Sequence, residues 1–334
     1  MKKLQIITAV GLLGLVACKQ EPKASADNSS ETVTEMMAET TADLPKTYAE
    51  ISIKEGGEWV GRKYEGGDKF VNVDSLTVPA SHTDHSYYIR YEGPGWESNK
   101  IGYRLYLDWR NAIDIFGKLK EDMILDQVGQ DNFDSYHEMS DWGADILKAG
   151  KSLGVGSLAR FYEGATVHFN EVDSTKAKVA NYADHSAVDI AYYGWQTPEV
   201  KTDLSSELSI KPDSRLTKHH FVTSEPVEGL CTGIVKFEGI DLIKKQSEDG
   251  KWACIATWGE QSLVPDKLGM VVFYQTDEVD RIQDSEFDHL IIFKPTTEPI
   301  TYYLAGAWEK EPGGITSAEE FDTWLNETLS ELSK

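Results

Sequence analysis

The amino-acid sequence predicts a mainly β protein, a large β-sandwich with a few peripheral helices. Three observations carry this expectation. Short runs rich in Val, Ile and Tyr recur along the chain, each bounded by Gly, Pro, Asp or Asn. These runs do not alternate regularly with long amphipathic helices, as a doubly wound α/β chain requires. The 9 Trp, 15 Tyr and 11 Phe in 334 residues supply a core and argue against global disorder.

In chain order the strand-like runs are 70–78, 86–93, 101–108, 165–169, 187–195, 219–223, 230–237, 251–258, 268–274, 289–293 and 301–307. Two helices are expected. The first spans 141–150, with Asp141 placed to cap it, Ile146 and Leu147 behind Trp142, and Gly150 closing it. The second spans 318–332. It opens on Ser317-x-x-Glu320, a capping box, and aligns Phe321, Trp324, Leu325, Leu329 and Leu332 on one stripe. No internal repeat is visible.

The N-terminus has the grammar of a targeting segment. Lys2 and Lys3 precede an apolar run that stops at Cys18, too short to span a bilayer as a helix. Leu15-Val16-Ala17-Cys18 has the form of a bacterial lipoprotein box, which predicts a signal peptide over 1–17 and acylation of Cys18. Residues 18–45 hold no aromatic residue and are rich in Ser, Thr, Ala and Glu, so they read as a flexible lipidated tether. A single domain over 46–334 follows. The expected location is an outer-membrane lipoprotein facing the periplasm. The other cysteines, Cys231 and Cys254, are either a cross-strand disulfide or two buried thiols.

The net charge is −23, and −21 of it falls on residues 46–334, because the leader carries +2 and segment 18–45 carries −4. That balance excludes nucleic-acid binding through a general basic surface. An anionic ligand then needs a local concentration of basic groups. There is no Gly-x-Ser-x-Gly, no phosphate-cradling glycine loop and no dinucleotide fingerprint.

Two polar clusters stand out. In the first, a Gly93-Pro94-Gly95 turn leads into an alternating strand. Ile101, Tyr103, Leu105 and Leu107 share one face, and Arg104, Tyr106, Asp108 and Arg110 share the other. This second face is either an exposed sheet surface with Arg–Asp pairs or the wall of a cleft for a carboxylate, which a guanidinium binds as a fork. Trp96 beside the turn is a candidate sugar platform or a half-buried packing residue. The second cluster, 131–152, surrounds Tyr136-His137-Glu138. His137 is the candidate base, and with Glu138 and Asp141 it forms a weak candidate for a divalent-metal site. His219 and His220 are adjacent on a strand and point to opposite faces, so only one can line a cleft; His220 is carried as the candidate.

The runs YEGPGWESNKIGYRLYLDWRNAIDIFGK and DSYHEMSDWGADILKAGKSLGVGS resemble the signature segments of a family of Bacteroidota envelope proteins encoded near polysaccharide-degradation genes. That family includes an ulvan oligosaccharide dehydratase. The resemblance spans most of 50–334 and implies a supersandwich of the mutarotase-like kind. It also implies dehydration of a non-reducing-end glucuronic or iduronic acid to a 4,5-unsaturated uronate, with a sulfated uronate oligosaccharide as partner.

That chemistry needs a cation on the carboxylate, a base for the C5 proton and an acid for the departing C4 hydroxyl. Arg104, with Arg110, suits the first role, His137 the second, and Tyr106 or Tyr136 the third. Trp96, Glu97, Asn99, Arg110, Trp142, Lys151 and His220 form the candidate substrate-binding set, with Lys151 placed to meet a sulfate. No cofactor is required by this argument, although a divalent metal is compatible with it. Two competing readings remain, a polysaccharide lyase and a non-catalytic glycan-binding lipoprotein.

Overall fold

The structure is a computed structural model that describes residues 45–131 and 135–334. The predicted leader, the Cys18 lipidation site, the tether through residue 44, and Asn132, Phe133 and Asp134 of the second cluster lie outside the described residues. No helix among the described residues is long and apolar enough to cross a membrane.

The chain is mainly β, as expected. In order come β1 (Thr47–Val60), β2 (Lys63–Val73), β3 (Ser75–Thr77), β4 (Gly95–Ser98), β5 (Ile101–Leu105), β6 (Ile113–Lys118) and β7 (Gly143–Asp145). Then follow β8 (Val155–Tyr162), β9 (Ala165–Val167), β10 (Ser174–Asn181), β11 (Ser186–Thr197), β12 (Val200–Ile210), β13 (Thr217–Thr223) and β14 (Leu230–Val235). The last are β15 (Leu242–Gln246), β16 (Trp252–Glu260), β17 (Lys267–Gln275), β18 (Val279–Asp284), β19 (Asp288–Phe293), β20 (Ile300–Trp308) and α1 (Ala318–Leu332).

These strands form a nine-stranded sheet (β15-β16-β17-β20-β13-β12-β11-β10-β3), a six-stranded sheet (β2-β1-β4-β5-β6-β7) and a five-stranded sheet (β18-β19-β14-β8-β9). The two smaller sheets pack side by side against the large one. They meet where Ile113 forms a parallel bridge with Gly154 and its N–H donates to the Leu153 carbonyl at 3.1 Å. Between the layers lies one continuous apolar core that includes Trp96, Tyr103, Trp195, Phe221, Tyr302 and Trp308. The inward residues alternate along the strands, as in Ile101, Tyr103 and Leu105 of β5, because successive side chains of a strand point to opposite faces.

α1 forms where the capping box predicts. Ser317 Oγ accepts the Glu320 N–H, and Phe321, Leu325 and Leu329 cover the outer face of β16, β17 and β20. The helix expected over 141–150 does not form. Trp142 through Leu147 are buried without a break, which a one-faced surface helix cannot satisfy, and Gly143–Asp145 instead add β7 to the sheet edge. A side chain at Gly143 would collide with the Gly117 carbonyl.

The strand expected over 86–93 is also absent. The segment is a tight loop ending in a 3-10 turn (Arg90–Glu92), with His85, Tyr87, Tyr91 and Glu92 all at positive φ. Cys231 and Cys254 are free, buried thiols on β14 and β16, which belong to different sheets, so the disulfide alternative fails. Burial pushes the Cys254 thiol up to about 12.

Candidate active site

The outer face of the six-stranded sheet carries charge, yet it is buried. Register explains which groups meet. Arg104 on β5 lies directly opposite Asp114 on β6, and Asp145 on β7 lies opposite Phe116, two residues along the same face. Residues 119–131 and 135–142 fold over this face, and Ile124, Leu125, Val128, Tyr136 and Trp142 pack with Tyr91 and Phe116. Arg104 ends 1% exposed.

Its guanidinium is engaged through both terminal nitrogens, while its buried Nε has no hydrogen-bond partner. Nη2 donates to Asp114 Oδ2 at 2.8 Å, Asp145 Oδ2 at 2.7 Å and Tyr106 Oη at 2.9 Å, and Nη1 donates to Tyr136 Oη at 3.0 Å. The Tyr106 hydroxyl donates to Asp114 Oδ2 at 2.6 Å. Burial and the neighbouring Asp145 push Asp114 up to about 6, against the pull of Arg104. Burial also raises both phenols well above their ordinary value, so Tyr106 and Tyr136 hold their protons.

His137 sits at the edge of this network. Its Nδ1 lies 3.1 Å from Asp145 Oδ2, its side chain is 35% exposed, and its ring is 4.4 Å from that of Tyr136, centre to centre. A carboxylate beside an imidazole is the arrangement in which a histidine can serve as a base. Arg110 extends the network. It pairs with Asp108 at 2.5 Å and Glu92 at 3.1 Å, and its guanidinium lies 3.9 Å from the centre of the Tyr106 ring. Burial works against the charge on Glu92, but Arg110 and Arg104 outweigh it and hold its pKa below the usual carboxylate range.

Five non-glycine residues at positive φ, His85, Tyr87, Tyr91, Glu92 and Asn111, border this region. Such backbone costs of order 1–3 kcal/mol per residue and concentrates at functional sites.

A cavity of about 270 Å³ opens beside Tyr136. Lys54, Lys69, Phe70, Tyr87 and Arg90 form much of its wall, with Asp68 and Asp131 as the acidic members. Arg90 pairs with Glu50 and keeps a buried Nε without a partner. Lys69 pairs with Glu55 at 2.8 Å. Lys54, 5.5 Å from the Phe70 ring centre, has no carboxylate partner among the described residues. The cavity is therefore aromatic and mixed in charge, with Lys54 as its cation without a carboxylate partner among the described residues.

The structure thus brings Arg104, Tyr106, Tyr136, His137 and Arg110 into one network and separates the other candidates from it. Trp96 is in the core, its indole N–H donating to Thr217 Oγ1 at 2.8 Å, so it offers no face to a sugar. Glu97 is buried on Lys118 at 2.6 Å and accepts the Ile124 and Leu125 N–H groups, holding residues 124–125 against the sheet. Asn99 bonds Asp213 at 2.9 Å. Trp142 packs edge-on against Phe116. Lys151 is exposed, its ammonium 5.8 Å from the Phe287 ring centre. His220 lies on the nine-stranded sheet, bonded to Thr301 at 2.8 Å.

Arg104 itself is corrected in role. Two carboxylates already neutralise it, so it serves the phenols and not a ligand's carboxylate. Among the described residues no three metal-ligating side chains converge, and Glu138 and Asp141 are exposed. Sequence reading missed Asp114, Asp145, Lys54 and Arg90 as site members. For Asp114 and Asp145 a signal existed, since each is an acid inside an apolar run, Ile113-Asp114-Ile115 and Ala144-Asp145-Ile146.

No curated protein matches the chain. A solved structure from Klebsiella pneumoniae assigned as an aldose 1-epimerase aligns at 7% identity over 72% of this chain and 83% of that one, with a TM-score of 0.35. A family model described as a domain of unknown function, DUF4861, matches residues 21–334, and the chain belongs to that family.

Proposed function

We propose that the protein is a carbohydrate-active lyase, an oligosaccharide dehydratase. It acts on the non-reducing-end uronic acid of ulvan-type oligosaccharides and eliminates water to leave a 4,5-unsaturated uronate. The observation that carries this reading is the His137–Asp145 pair standing beside the protonated phenol of Tyr136, which itself lines an aromatic cavity that holds Lys54 and Arg90. The cavity, at about 270 Å³, is near the lower end of ligand pockets, which suits one terminal sugar over a long chain.

Lys54, with the free Nε of Arg90, neutralises the uronate carboxylate and so acidifies the C5 proton. The outer nitrogen of His137 takes that proton, and Asp145 holds the resulting imidazolium. The C4–O bond breaks, Tyr136 protonates the departing hydroxyl to water, and a C4–C5 double bond forms. Arg104 Nη1 steadies the tyrosinate until the imidazolium returns its proton through solvent. In the cell, acylation at Cys18 would hold the domain on the outer membrane, facing the periplasm.

The test is incubation with uronate-ended oligosaccharides, with and without chelator, followed by mass spectrometry. The expected product is lighter by one water at unchanged chain length and absorbs in the ultraviolet through its new conjugated double bond. His137→Ala should abolish it. A shortened chain with an unsaturated end would instead establish a polysaccharide lyase. Oligosaccharide binding with no new chromophore would establish a glycan-binding module.

A further inference from the structure

A second cavity, of about 350 Å³, lies on the other flank of the network. Its wall includes Arg62, His82, Asp108, Trp109, Asn170 and Tyr192. The Asp108 carboxylate is held by Arg110, whose guanidinium lies on the Tyr106 ring, so the cavity abuts the His137 network through that chain of contacts.

His82 is the telling group. It is 7% exposed, its Nδ1 is engaged by Ser86 Oγ at 2.8 Å, and its Nε2 is buried without a hydrogen-bond partner. A buried polar nitrogen left unsatisfied costs ~1–3 kcal/mol, which a ligand hydroxyl would remove. Burial holds the His82 pKa below its ordinary value, so the ring is neutral at pH 7. A neutral imidazole suits a hydroxyl better than an anion.

The charges around the cavity agree. Asp108 is neutralised by Arg110 at 2.5 Å and Asp173 by Lys201 at 2.7 Å, while Arg62 donates to the His82 carbonyl at 3.2 Å. No single sign dominates. Trp109, which is partly exposed, and the ring of Tyr192, whose hydroxyl is engaged by Asn111, supply apolar faces. An aromatic face in one cavity with neutral hydrogen-bonding groups matches a ring with an apolar C–H face and hydroxyls at its edge.

We infer that this cavity is a glycosyl subsite for an uncharged pyranose, seated against Trp109 with a hydroxyl on His82 Nε2. The inference goes beyond the elimination proposed above and does not depend on it, since it concerns binding at residues that take no part in the proton transfers.

The test uses the whole domain and saturation-transfer NMR with three neutral probes: methyl glucopyranoside, methyl xylopyranoside and methyl rhamnopyranoside. Methyl glucuronide and inorganic sulfate serve as anionic competitors. At least one neutral glycoside should bind saturably, and neither anion should displace it. Trp109→Ala and His82→Phe should each weaken that binding at least tenfold, with folding verified by thermal melting. Should His82→Phe fail to fold, Trp109→Ala decides alone, because its side chain is partly exposed.

The inference is overturned if no neutral glycoside binds, if Trp109→Ala leaves the affinity unchanged, or if glucuronide or sulfate displaces the bound glycoside. Formation of the unsaturated product and its loss in His137→Ala are read separately, so failure here leaves the elimination standing, and the reverse.

Discussion

Asp145 is the residue that joins the two halves of the candidate site, since it accepts from Arg104 at 2.7 Å and pairs with His137 at 3.1 Å. Asp145→Asn keeps the shape but loses the charge that supports an imidazolium. Turnover to unsaturated product should fall about 10²–10⁴-fold while the Michaelis constant changes little. The two phenols should separate cleanly. Tyr136→Phe removes the proposed acid and should lower kcat by about 10²-fold or more. Tyr106→Phe removes the donor to buried Asp114, so its main effect should be a stability loss of about 1–3 kcal/mol, measured by denaturant unfolding. The reverse outcome would move the acid to Tyr106. Lys54→Met should raise the Michaelis constant for uronate-ended substrate more than it lowers kcat, because its proposed contact is with the carboxylate in ground and transition state alike.

Among the elements, α1 is the clearest case of local code surviving into the fold. Ser317→Ala removes the acceptor of the Glu320 N–H and should cost about 1 kcal/mol. Leu325, fully buried against the large sheet, should cost about 2–5 kcal/mol when replaced by Ala. Both are read by chemical unfolding, and equal losses would contradict the difference in burial.

The strand at 101–105 was legible for a similar reason, because Ile101, Tyr103 and Leu105 alternate with polar neighbours and one face needs a core. Segments 86–93 and 141–150 were not legible. In 86–93 the backbone adopts positive φ at residues with side chains, which no propensity anticipates. In 141–150 every residue from Trp142 to Leu147 is buried, so the periodicity that distinguishes helix from strand is missing.

For the whole molecule, two properties follow from burial across three sheets. Burial pushes Asp288 at the start of β19 up to about 7, although its carboxylate accepts the Leu153 N–H at 2.7 Å. The folded state therefore keeps a proton that the unfolded chain has lost, and stability falls as pH rises through the window from about 4 to 7. This group contributes at most about 4 kcal/mol to that fall. Asp288→Asn, which keeps an acceptor for Leu153, should flatten unfolding free energy across that same window, from about pH 4 to about pH 7; an unchanged slope would assign it to other groups. With Cys231 and Cys254 free on separate sheets, reductant should leave the melting temperature unchanged, and the denatured domain should show both thiols to a thiol reagent without prior reduction.

The β class and the C-terminal helix were legible in the residues alone, and so were the two polar clusters that the fold brings together as Arg104, Tyr106, Tyr136 and His137. Alternation and capping are local, so they are written in neighbouring residues. It could not show what covers a face. The tertiary structure folded residues 119–131 and 135–142 over the outer side of the six-stranded sheet, turning Arg104 from an expected ligand group into a buried partner of two phenols. The same packing carried Trp96 and Glu97 into the interior and left Lys54 facing the cavity. A strand's period says which side chains share a face; what that face meets is decided by residues far away in the chain.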